Sequence, residues 1–238
     1  MRMEMKTSKG YLIYLDVLGY RNILSSGDKN EIDNLRSFIS KLDEKAIAIK
    51  AGLFLGRNNI VLRSYSDNFL ILYKAKVPLR DDLAGVISFA SNIIGNAISY
   101  GFMMRGSIVY GELTYNNQSI FGRDIITAYE LEAGHNEPCI VLDPSLKIMY
   151  EENNLFEDDL LSPFSTFHKN DKTSAEIYAR GIGAMVKRLN FQSFVDGKTL
   201  EKYKWLINEY NRYFEGTYHI EFKVQPSHYE IEIGNVSY

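Results

Sequence analysis

Two apolar runs, each carrying a single aspartate, constrain this chain more than anything else in it. Residues 11–20 read YLIYLDVLGY and residues 63–72 read RSYSDNFLIL. Short, continuous runs of branched and aromatic residues bounded by turn signals predict buried β-strands. Asp16 and Asp67 then fall where a strand meets a turn. A charge in an apolar strand is costly unless it is paired or bound to a metal. Two carboxylates so placed suggest one hard-cation site on an α+β sheet. The competing reading is local: Asp67 as a surface turn residue and Asp16 as a helix cap.

The rest of the chain fits around these runs. Ser26 to Asn30 is turn chemistry, and Asn30 is the expected cap of a helix to about Lys50, with Ile32, Leu35, Phe38, Ile39 and Leu42 on one face. Strands are expected from Ile60 to Tyr65 and from Phe69 to Tyr73, around a tight corner at residues 66–68. Residues 83–104 carry no charge, but Ser88, Ser91, Asn92, Asn96 and Ser99 interrupt them, and Leu83, Val86, Ile87, Ile94 and Ile98 recur at helical spacing. That is a core helix and no membrane span. A strand from Met103 to Glu112 completes a β-α-β-β-α-β order, and a turn at Asn116, a helix from Ile125 to about Ala133 and a strand from Cys139 to Asp143 add a further α-β. This is the ferredoxin-like split βαβ arrangement, an antiparallel sheet with helices expected on one face.

After Asp143 the character changes to acidic loop sequence around residues 151–154 and 157–159. Two helices follow, Ser174 to Leu189 and Leu200 to Phe214, then two terminal strands. No Gly-, Ser- or Pro-rich linker separates them. The expectation is one domain over residues 1–150 and an extension over residues 151–238 packed on it.

Composition excludes several classes. With 27 basic and 30 acidic residues, the balance disfavours a duplex nucleic-acid partner. Cys139 is the only cysteine, so neither an intrachain disulfide nor a cysteine zinc cluster can form, and a lone thiol fits the reducing cytoplasm. The four histidines lack metal-ligand spacing, and residues 1–9 have no signal-peptide core. There is no GxxxxGK[ST] or GxGxxG, which removes P-loop and Rossmann sites.

The remaining candidates surround the aspartates. A backbone carbonyl near Val17 is a further possible metal ligand. Arg105, opening the segment RGSIVYGE (105–112), has the forked donors that grip triphosphate oxygens, although a lone arginine is more often a structural ion-pair partner. Arg63 lies four residues before Asp67, facing either a nucleobase or solvent. The segment FGRDIITAYELE (121–132) is a glycine turn entering a helix, either an anion site or an ordinary surface helix.

Taken together, YLDVLGY, SYSDNFLIL, RGSIVYGE and FGRDIITAYELE resemble, in that order, the motifs of class III nucleotidyl cyclases, over roughly residues 10–143. The combination is closer still to the Pycsar antiphage branch, which makes cyclic UMP or cyclic CMP. The resemblance implies a class III cyclase domain with a helical and β C-terminal extension, acting on UTP or CTP, with UTP favoured. It implies two divalent metal ions, Mn²⁺ or Mg²⁺, on Asp16 and Asp67, with Val17 as carbonyl ligand. Arg105 matches the triphosphate arginine, Arg63 falls where purine cyclases keep a base-recognising lysine, and Tyr65 helps shape the base pocket. It also implies a homodimer with sites at the subunit interface, and a cyclic-nucleotide-responsive effector as an indirect partner.

The match departs from the family on the later helix. Where purine cyclases have Asn and Arg to hold ribose and stabilise the transition state, this chain has Ile126 and Glu130, and where the Pycsar branch has Pro-Arg it has Pro138-Cys139. Either a cation comes from elsewhere or the enzyme is slow or inactive. That leaves a non-catalytic nucleotide-binding sensor as the main rival. A single-stranded RNA-binding module is a second, against which the acidic balance counts.

Overall fold

A computed structural model describes residues 4–42, 60–116, 118–152, 161–164, 171–192, 195–225 and 228–235. The first strand, β1 (Lys6–Val17), is buried at every residue from 10 to 15, because both of its faces are covered. Next come helices α1 (Tyr20–Ser26) and α2 (Lys29–Lys41), strands β2 (Ile60–Tyr65) and β3 (Asn68–Lys74), and helix α3 (Arg80–Ser99). The series continues with β4 (Met104–Tyr115), β5 (Ile120–Phe121), α4 (Arg123–Ala133) and β6 (Ile140–Leu142). The sheet order is β2-β3-β1-β4-β5, antiparallel throughout, with β6 added parallel to β4.

Two cores sandwich this sheet. Tyr11, Ile13 and Leu15 point to the side of α3, where Leu83, Val86, Ile87, Ile94 and Ile98 are buried. Each such side chain contributes about 1.5–3 kcal/mol on burial. Leu12 and Tyr14 point to the opposite side, against Leu70, Val109 and Ala128 of α4. Helices therefore cover both faces, not the single face expected. The continuous apolar character of residues 11–15, without alternation, is the mark of that two-sided burial.

Two local boundaries also differ. Asp28, not Asn30, caps α2: its carboxylate accepts hydrogen bonds from the amides of Asn30 and Glu31. The expected continuation over residues 43–50 lies outside the described residues, as do residues 153–154 and 157–159 of the acidic stretches. Glu151 and Glu152, read as loop, end a helix, α5 (Pro144–Glu152), which begins with proline in the first turn behind Asp143.

The C-terminal part contributes α6 (Lys172–Leu189), α7 (Gly197–Tyr213) and a separate two-stranded sheet of β7 (Tyr218–Gln225) and β8 (His228–Asn235). Its buried side chains, among them Tyr178, Ile182, Tyr210 and Phe214, are continuous with the core beneath α3. Helix α6 approaches α3 so closely that a Cβ on Gly181 would lie 1.9 Å from the carbonyl oxygen of Ile98. Among the described residues no helix is long and apolar enough to cross a membrane.

Candidate active site

Asp16 is the penultimate residue of β1 and lies opposite Asn68 on β3 and Arg105 on β4. Asp67 sits in the two-residue corner between β2 and β3, which Ser66 closes in the left-handed region at φ 59°. The Val17 amide donates to the Asp67 carbonyl oxygen at 3.1 Å, so the end of β1 is tied to that corner. A further chain orients the second carboxylate: the Tyr14 hydroxyl donates to Asn68 Oδ1, and Asn68 Nδ2 donates to Asp67 Oδ1 at 3.1 Å.

Electrostatics mark this as a place that favours a cation. The Asp16 carboxyl is pushed above its ordinary value, first by burial and next by the negative charge of Asp67; Arg105 and Lys202 oppose the shift. A divalent ion between the two carboxylates would remove both penalties, so these residues fit a hard-cation site. No cluster of three or more His, Cys, Asp or Glu occurs among the described residues. The other ligands must then be substrate oxygens, water or a main-chain carbonyl. Val17 can offer only its carbonyl, since its side chain is a hydrocarbon with no donor atom.

Arg105 stands at the same corner but is already engaged. Its Nε pairs with Glu132 of α4, its Nη1 donates to the His135 carbonyl at 2.8 Å, and Asp16 Oδ2 lies 4.0 Å from Nε. Glu132 is 2% exposed, and burial raises its carboxyl while Arg105 opposes the shift. The Nη2 donors have no hydrogen-bond partner among the described residues. Arg105 thus holds a structural ion pair and keeps one edge of its fork in reserve.

Arg63 and Tyr65 are not brought to the carboxylates of this chain. Arg63 donates to the carbonyls of Leu62 and Asn116, and the Tyr65 hydroxyl donates to the Gln118 carbonyl at 3.3 Å. Both therefore brace the hairpin between β4 and β5. Ile126 is 58% exposed and Glu130 is exposed on α4, so neither is turned into the Asp16 corner. Cys139 is buried with its thiol pushed up to about 12, mainly by burial, and is no nucleophile.

Two residues that reading the sequence missed complete the corner. Glu132 carried a signal, since it follows buried Ala128 by four positions on one helix face. Lys202 of α7 carried none, because only tertiary packing brings it near Asp16, Glu132 and Arg105.

No protein-family profile matches the sequence, and no curated protein is significantly similar to it. Among solved structures, it is similar to the adenylyl cyclase CyaB of P. aeruginosa, at TM-score 0.50 and 15% identity over 63% of this chain and 84% of that one. A double mutant of the guanylyl cyclase domain of the RhoGC fusion protein from Blastocladiella emersonii gives TM-score 0.49 and 18% identity, over 63% of this chain and 87% of that one. A class III adenylyl cyclase-like ATP-binding protein from Pseudomonas aeruginosa gives 0.46 and 11%, over 73% of this chain and 41% of that one. The likeness to CyaB is one of fold: this chain has the α+β fold of a class III nucleotidyl cyclase.

Proposed function

We propose that this protein is a pyrimidine nucleotide cyclase. It converts UTP, or else CTP, to the 3′,5′-cyclic monophosphate and pyrophosphate, as an antiphage second messenger read by a separate effector. The observation that carries this reading is the meeting of Asp16 and Asp67 at the end of β1, with Arg105 4.0 Å from Asp16. In the reaction the ribose 3′-hydroxyl passes its proton to water, the 3′-oxygen bonds to the α-phosphorus, and the bond from that phosphorus to the pyrophosphate oxygen breaks, the electron pair leaving with pyrophosphate. Asp16 and Asp67, with the Val17 carbonyl, would hold Mn²⁺ or Mg²⁺, which supplies activation of the hydroxyl and neutralisation of the phosphates. Asn68 and Tyr14 fix the orientation of Asp67. Arg105, held in place by Glu132 and the His135 carbonyl, turns its remaining donors to charge that develops on the phosphates. Arg63 and Tyr65 read the base edge, across a homodimer interface.

Residues 1–150 constitute the catalytic domain in this reading, and residues 151–238 an extension packed on it in the cytoplasmic enzyme. A second reading, a nucleotide-binding sensor without turnover, is favoured by the closure of Arg105 on Glu132 and by Ile126 and Glu130 on α4.

The test is incubation of the purified protein with Mn²⁺ and each of the four ribonucleoside triphosphates, beside Asp67→Asn, with products analysed by mass spectrometry. The expected result is a cyclic monophosphate from UTP or CTP alone, lost in the variant by more than about a hundredfold. A cyclic purine product would overturn the base assignment. Binding of triphosphate without any cyclic product would establish the sensor.

A further inference from the structure

The departures on α4 leave a charge problem: pyrophosphate leaves this site, and the helix that should present a cation presents Ile126 and Glu130. The C-terminal extension addresses it from the other side. Asp196 caps α7 by accepting from the Thr199 amide at 2.7 Å, and the Lys198 carbonyl accepts from Asn136 Nδ2 at 3.2 Å. That bond docks the first turn of α7 on the loop whose His135 carbonyl holds Arg105. Lys202, one turn further on, lines a cavity of about 250 Å³ with Leu18, Gly19, Met103 and Thr199. Leu18 and Gly19 directly follow β1, so the cavity lies against the turn that leaves that strand, two residues beyond Asp16.

The state of Lys202 is unlike that of its neighbours. Lys204 pairs with Glu201 and Arg212 with Glu209, whereas Lys202, half-buried, has no salt-bridge partner among the described residues. Asp16, Glu132, Asp196 and Arg105 are the charged groups that act on it, and burial together with Arg105 lowers its proton affinity. Lys202 is thus a partly desolvated ammonium that feels the carboxylates of Asp16, Glu132 and Asp196 but closes a salt bridge to none of them among the described residues, which leaves its donors for an arriving polyanion.

We propose that Lys202 is a cation that meets the β- and γ-phosphates of a nucleoside triphosphate held at Asp16 and Asp67, reaching them from α7. The proposal rests on the cyclase reading for the position of the triphosphate, and its test separates the two. Equilibrium binding of UTP and CTP, each beside its monophosphate, is measured with Mn²⁺ for the wild type, Lys202→Met and Lys202→Arg, together with the rate of cyclic product formation and the melting temperature.

Loss of a charged hydrogen bond should weaken triphosphate binding by about ten- to a hundredfold in Lys202→Met. Monophosphate binding should change by less than about twofold, and Lys202→Arg should recover most of the loss. The melting temperature of Lys202→Met should stay close to that of the wild type, because the burial penalty removed with the ammonium is offset by the loss of its attraction to Asp16, Glu132 and Asp196. A Lys202→Met protein that binds and cyclises triphosphate like the wild type would overturn the role of Lys202 and leave the cyclase standing. Lys202-dependent triphosphate binding without cyclic product would overturn turnover and leave the role of Lys202. A wild type that binds no triphosphate would overturn both.

Discussion

Arg105 is shared between Glu132, almost wholly buried, and Asp16, whose charge faces the candidate metal position. The two carboxylates differ in what they need from it. Glu132 has left water and has lost its hydration to burial, so it depends on the guanidinium for its charge. Asp16 has a divalent ion as an alternative partner. Removing one member of a buried pair costs about 3–5 kcal/mol, because the other is left desolvated and alone. Arg105 is 21% exposed and Glu132 2%, so water can rescue the arginine better than the carboxylate. Arg105→Met should therefore destabilise the protein by about 3 kcal/mol or more, and Glu132→Ala by clearly less. Urea unfolding of both variants checks the order. Equal losses would mean that water rescues neither member better than the other, and losses within about 0.5 kcal/mol of the wild type that this pair is no anchor.

At the scale of elements, the site is a meeting of three strand ends, and its legibility follows from that. Asp16 and Asp67 could be read because each is the charge in a run that is otherwise apolar, and because strands that neighbour each other bring their ends together. The corner at Ser66 needed no tertiary information either. The capping of α2 by Asp28 and the start of α5 at Pro144 were in principle legible, since both follow local rules of helix ends. Coverage of both faces of the sheet is legible in the unbroken apolar run of residues 11–15, which the split βαβ pattern alone assigns to one covered face. Lys202 and the bracing of the β4–β5 hairpin by Arg63 were not legible, because they depend on how distant elements fold over one another. The packing of α6 on α3 belongs to the same category and has a direct test. A methyl group at Gly181 would meet the Ile98 carbonyl, which is backbone and cannot rotate away. Gly181→Ala should cost about 1–3 kcal/mol by overpacking. Because α6 and α7 pack into one core with the sheet, it should also lower triphosphate affinity through Lys202. Unchanged stability in thermal melts would show that the extension is free to shift away from α3.

For the whole molecule, the decisive question is whether one chain contains a complete site. Arg63 and Tyr65 are turned to the β4–β5 hairpin of their own chain, away from their own carboxylate pair. Phe121 of β5 and Ile126 and Tyr129 of α4 are each more than half exposed. Exposed large apolar side chains on two successive elements are what an interface between copies can cover. A two-fold dimer would place the same patch against itself and bring the base-reading residues of one subunit to the carboxylates of the other. Each site would then take Asp16, Asp67, Arg105 and Lys202 from one chain and Arg63 and Tyr65 from its partner. Such sharing predicts complementation. Asp67→Asn and Arg63→Ala should each be inactive alone. Mixed in equal amounts and allowed to exchange subunits, half of the dimers would be mixed, each with one intact site of two, giving roughly a quarter of the wild-type rate. Sedimentation of the mixture would verify that dimers form. Dimers without any recovery of activity would place Arg63 in the same site as Asp67, and the β4–β5 hairpin would then have to open within one chain before a base could enter.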